Sequence, residues 1–145
     1  MKRLISFPIK GTFYYSAFLA MQENLISKNT PLIFKLEPDN RYDKNAIQIW
    51  LPTTDSSSEL GLLLGYVPRS LSKKLNFLFS HNLITDIHVI HCAQQGKLIE
   101  VDCQITVNQA WQHYLLLVIQ SQWITKWHKL NRLTQRLFGK NKTHR

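Results

Sequence analysis

Between residues 4 and 107 the chain is cut into six apolar runs of five to ten residues: 4–10, 32–36, 46–51, 60–67, 84–93 and 98–107. Each is closed by glycine, proline or a short polar cluster. Runs of this length, bounded by turn residues, fit strands better than helices and restrict the chain to a mainly β fold. Two segments break the pattern. Residues 15–25 place Phe18, Leu19, Gln22 and Leu25 at helical spacing. After Pro68, which suits the first turn of a helix, Leu71, Leu75, Leu78 and Phe79 share one face, with Lys73 and Lys74 pointing elsewhere. The turn 94–97, Gln-Gln-Gly-Lys, joins the last two runs as a hairpin. Many short strands with glycine-marked bends predict a small OB-like β-barrel with two short helices, an α+β fold that is mainly β. With 44% hydrophobic and 19% charged residues, the chain has enough apolar material for a core and too little charge for disorder.

Charge is unevenly placed. Residues 1–102 hold eleven Lys or Arg against nine Asp or Glu, whereas residues 103–145 hold seven Lys or Arg and no acid. From Ala110 the pattern becomes that of one long helix: Leu116, Ile119, Trp123, Trp127, Leu130, Leu133 and Leu137 form an apolar stripe. Lys126, Lys129, Arg132 and Arg136 form a basic stripe beside it, a secondary surface for phosphate. Gly139 ends the helix and residues 140–145 are expected to fray. This helix is expected to dock on the barrel and touch nucleic acid. The competing reading makes it a module for binding a protein or an anionic membrane surface.

Several chemistries are not supported. Two cysteines do not make a disulfide scaffold, and the first residues lack a secretory apolar stretch, so a cytoplasmic setting is expected. The run 114–119 is too short to span a bilayer. No metal is expected: His88 and His91 should face opposite sides of a strand, and Cys92 and Cys103 lack paired ligand spacing. There is no phosphate-binding loop of an ATPase and no nucleophile elbow of a serine hydrolase. Glu37, Asp39 and Asp43 cluster in one turn beside Arg41 and Lys44, not on separate strands as a two-metal nuclease needs. The chain is therefore expected to be non-catalytic and to need no cofactor.

The densest polar segment is residues 37–46, EPDNRYDKNA, between two strand-like runs; it is preceded by GTFYY at 11–15 and followed by LGYVPR at 64–69. In this order and spacing the three motifs resemble the HIRAN domain, over roughly residues 4–107. The resemblance implies an OB-type barrel over 1–108, to which the basic helix read from its spacing at 109–138 and the tail at 139–145 are appended. It also implies capture of single-stranded DNA at its 3′-hydroxyl end, in a repair-type setting, with a helicase or nuclease as partner and no small-molecule substrate. The residues expected to bind nucleic acid are Phe13, Tyr14, Asn40, Tyr42, Asp43, Lys44, Tyr66 and Arg69. Arg41 stands where the family commonly has Pro, and Phe13 where some members carry a basic residue. An aromatic of the later hairpin has no counterpart near Cys92.

The residue types suit that task on their own terms. Tyr42 and Tyr14 offer rings on which unpaired bases stack. A carboxylate at Asp43 accepts from a terminal hydroxyl and repels a terminal phosphate. Lys44 and Arg69 are placed to meet flanking phosphates. The structural alternatives are that Asp43 and Asn45 bond their own turn backbone, and that Tyr14, Tyr15 and Tyr42 are packing residues.

Overall fold

The structure, a computed structural model, describes residues 2–54, 60–108 and 119. Its elements run β1 (Lys2–Pro8), α1 (Ala17–Gln22), β2 (Ile33–Leu36), β3 (Ile47–Leu51), β4 (Leu62–Tyr66), α2 (Arg69–Ser80), β5 (Ile84–Gln95) and β6 (Leu98–Asn108). Two antiparallel sheets result, ordered β1-β6-β5 and β2-β3-β4. The mainly β class stands, and every strand-like run became a strand. Apart from Ile119, the expected helix beyond residue 109 lies outside the described residues, as does the whole of its basic stripe.

The barrel itself is not closed. The sheets meet at the bridges Lys10↔Tyr66 and Pro31↔His88, the second extended by backbone bonds from Asn29 N to the Val89 carbonyl at 2.7 Å, from Val89 N to the Thr30 carbonyl at 2.9 Å and from Leu32 N to the Ile87 carbonyl at 2.9 Å. A proline, which has no N–H to donate, marks each seam: Pro8 ends β1 two residues before the first, and Pro31 sits in the second. At the first seam Lys10 and Tyr66 exchange both backbone bonds at 2.8 Å. A Cβ on Gly65 would stand 2.3 Å from the Lys10 carbonyl oxygen, so only glycine lets these strands approach.

The core lies between the inner faces of the two sheets and α2. Phe34, Ile47, Ile49 and Leu51 come from one sheet, Phe7, Val89, Val101, Cys103 and Ile105 from the other, and Leu75 and Leu78 from α2. Burial pushes the Cys103 thiol well above its ordinary pKa, so it behaves as a core side chain.

Two local expectations need correction. Helix α1 is only six residues long and buries Ala17 and Ala20, while Phe18, Leu19 and Leu25 remain exposed. It packs against β4, where small side chains permit close approach, and Asn24 at φ 54° ends it. The second correction concerns the histidines. A bulge between Val89 and His91 pairs His88 with Gln104 and His91 with Asp102. The extra residue restores the alternation, so both histidines share the outer face. His88 bonds Asp86 at 2.6 Å. Among the described residues no three His, Cys, Asp or Glu are grouped to hold a metal ion, and no helix is long and apolar enough to cross a membrane.

Candidate nucleic-acid interface

Residues 37–46 connect β2 to β3, and their shape is set by their own side chains. The Asn40 carboxamide oxygen accepts from the backbone N–H of Tyr42 at 2.9 Å and of Asp43 at 3.0 Å, while its nitrogen donates to Glu37 Oε2 at 2.8 Å. Asp43 Oδ1 accepts from Asn45 N at 2.9 Å. Glu37 N donates to the Ala46 carbonyl at 3.0 Å and closes the base of the turn. Asn40 thus organises the loop from within, and Asp43 uses one oxygen the same way.

Helix α2 forms the wall opposite this turn. Arg69, Ser72, Lys73 and Asn76 recur at i, i+3, i+4 and i+7, one face of a helix whose other face buries Leu75 and Leu78. Ser72, 2% exposed, donates its hydroxyl to Asp43 Oδ2 at 2.6 Å, and Asn76 Nδ2 reaches the Asn45 carbonyl at 3.4 Å. Between turn and helix lies a groove of about 350 Å³ lined by Tyr42, Asp43, Lys44, Asn45, Arg69, Ser72 and Lys73. Sequence reasoning missed Ser72, Lys73 and Asn76. The signal was present as a polar stripe at helical spacing, opposite the leucines.

The Ser72 hydroxyl holds the Asp43 carboxyl below the ordinary carboxylate range, helped by the Asn45 N–H and the Arg69 guanidinium and opposed by desolvation. A depressed folded-state value stabilises the fold above the unfolded value, near pH 4 for Asp, and that contribution fades as pH falls through the folded value. Ser72→Ala removes the largest cause. The Asp43 carboxyl midpoint, followed by NMR against pH, is expected to rise toward the ordinary value; an unmoved midpoint would show that Ser72 does not set it.

Phe13 and Tyr14 belong to a second groove of about 460 Å³, lined by residues 8–14 and 98–102. The Thr12 hydroxyl, buried, donates to the Ile99 carbonyl at 2.6 Å and pins this turn to β6. Gly11 at φ 81° makes the turn possible, and its carbonyl accepts from Tyr14 N at 2.9 Å. Phe13 is 62% and Tyr14 81% exposed, with their rings in an edge-to-face pair at 5.5 Å. Tyr42 is 79% exposed. Such exposure sets Phe13, Tyr14 and Tyr42 apart from packing aromatics.

Tyr66 is different. Its ring is half-buried, 5.5 Å from that of Tyr15, and its hydroxyl accepts from Gln48 Nε2 at 3.4 Å. Burial pushes the phenol up to about 12, with Glu37 and Tyr15 adding to the rise against the Gln48 bond. Tyr66 therefore ties the three motifs together. Its backbone bonds residue 10, its ring meets Tyr15, and its hydroxyl stands beside Glu37 at the foot of the turn.

The sequence signature of the HIRAN domain family matches residues 2–111. This chain is a HIRAN domain protein. HIRAN domains are DNA-binding modules and are not catalytic by themselves. Among solved structures, this HIRAN chain is similar to a protein from Lactobacillus plantarum, with TM-score 0.52 and 19% identity over 74% of this chain and 100% of that one. It is also similar to the HIRAN domain of human HLTF, with TM-score 0.51 and 17% identity over 73% of this chain and 77% of that one. At such identities the likeness is one of fold. Comparison with curated protein sequences gives no match.

Proposed function

We propose that this HIRAN protein binds single-stranded DNA at a free 3′-hydroxyl end, with the end seated in the groove between the 37–46 turn and α2. The observation that carries this reading is one carboxylate among three cations. Asp43 shares the groove with Lys44, Arg69 and Lys73, and the exposed Tyr42 ring stands at its rim. A groove meant only for phosphate gains nothing from an acid. A groove for a strand terminus does, because a carboxylate with lone pairs left over from Ser72 and Asn45 accepts the terminal hydroxyl. Lys44, Arg69 and Lys73 meet the preceding phosphates, Tyr42 stacks on a terminal base, and Tyr14 offers a second exposed ring. Asn40 and Tyr66 shape the site in this reading. A protein that holds a 3′ end without modifying it works with an enzyme acting on that end, so a helicase or nuclease is the class of partner implied.

Fluorescence anisotropy with oligonucleotides ending in 3′-hydroxyl or 3′-phosphate tests the reading. The hydroxyl form is expected to bind more tightly. With three cations on phosphates, the logarithm of the association constant should fall by about 2 per tenfold rise in salt. Equal affinity for the two ends removes end recognition, and no binding at low salt removes the reading altogether.

A further inference from the structure

The outward face of the β2-β3-β4 sheet does not line the end groove, yet it continues from the foot of the same turn through Tyr66. Lys35, Gln48 and Tyr66 lie in one row across the three strands, and Ile33, Trp50 and Leu63 in the next. The row residues have no acid among them. Their polar groups are tied together: Trp50 Nε1 donates to Gln48 Oε1 at 2.9 Å, and Gln48 Nε2 donates to the Tyr66 hydroxyl at 3.4 Å. Lys35 Nζ lies 6.0 Å from the centre of the Trp50 ring.

Trp50 is half-buried and its only donor is satisfied inside the sheet, so the indole plane is fixed and its remaining surface is apolar. A fixed ring beside a mobile cation is what stacking a base and neutralising its phosphate require. Tyr66 and Tyr15, in contact at 5.5 Å, carry the aromatic surface back toward Glu37 and the turn.

We infer that this sheet face is a second nucleic-acid subsite, in which Trp50 stacks on an interior base of the strand and Lys35 meets its phosphate. The inference rests on the proposed function and extends it from the terminus to the body of the strand. The subsite takes nucleotides from any sequence, because a π face and a phosphate are common to all of them.

The test uses the full chain and 3′-hydroxyl oligothymidylates of two, four, six and eight nucleotides. Affinity of the unaltered protein is expected to climb with length beyond the dinucleotide. Trp50→Leu is expected to remove about tenfold of that gain, and Lys35→Gln to remove a smaller part and flatten the salt slope by about 0.7. Both variants should keep the dinucleotide affinity and the preference for 3′-hydroxyl over 3′-phosphate. If Trp50→Leu loses dinucleotide binding as well, the exposed Lys35→Gln decides.

Unaltered length dependence in the variants, or none in the unaltered protein, overturns the sheet-face subsite and leaves end recognition standing. Length dependence that both variants weaken, without any preference for the hydroxyl end, supports the subsite while end recognition falls. An absence of DNA binding overturns both.

Discussion

Asp43→Asn is expected to weaken binding of a 3′-hydroxyl oligonucleotide by about 10- to 100-fold and to bring its affinity close to that of the 3′-phosphate form. The first part follows from losing a hydrogen bond to a charged acceptor, worth about 1.5–3 kcal/mol. The second follows from removing a repulsion. Two unit charges 4 Å apart at an effective dielectric of 20 oppose one another by about 4 kcal/mol, less where solvent and salt screen the groove. Asparagine keeps an oxygen for the Asn45 N–H and an amide that can donate to the Ser72 hydroxyl, so the turn retains its bonds. Because Asp43 sits partly open to solvent, the fold should lose little. Anisotropy titrations of both oligonucleotides with both proteins give the result. A variant that still prefers the hydroxyl end would assign discrimination to another residue.

Gly65→Ala is expected to destabilise the fold by about 2–5 kcal/mol. A methyl there would stand 2.3 Å from the Lys10 carbonyl oxygen and 2.8 Å from Ile9 Cγ2. The seam must open, adding about 1–3 kcal/mol of overpacking to the weakening of the two Lys10–Tyr66 backbone bonds, about 1 kcal/mol each. Gly96→Ala is the matched control. Gly96 has φ 61° with open space around it, so only the left-handed conformation is penalised, by about 1–2 kcal/mol. Urea unfolding of the two variants separates conformation from crowding: equal losses would remove the crowding account.

The strands were legible because short apolar runs between turn residues admit few alternatives, and the 94–97 hairpin announced itself through Gly96. The shape of the candidate site's turn was legible for a related reason. Asn40, Tyr42 and Asp43 lie close in sequence and stay close in space, since their bonds join residues two or three apart. What escaped depends on the third dimension. The face that α1 buries is chosen by its close approach to β4, which favours Ala17 and Ala20 over the larger residues beside them. The side on which His91 emerges turns on one bulged residue, and no alternation pattern marks a bulge. Ser72 and Lys73 became wall residues only when α2 was laid opposite the turn, and helical spacing alone gives no direction for a polar stripe. Closure of the barrel also lay beyond the sequence, because it depends on how far pairing extends along the two seams between the sheets.

The bracing of residues 37–46 bears on transplantation. Nearly every bond that shapes this decapeptide is internal to it: Asn40 to Glu37, Tyr42 and Asp43, Asp43 to Asn45, and Glu37 to Ala46. Grafted between two antiparallel strands of a foreign scaffold, it carries its own outline with it. It does not carry a cavity, because the facing side belongs to a helix thirty residues downstream, and a useful graft has to bring that helix as well.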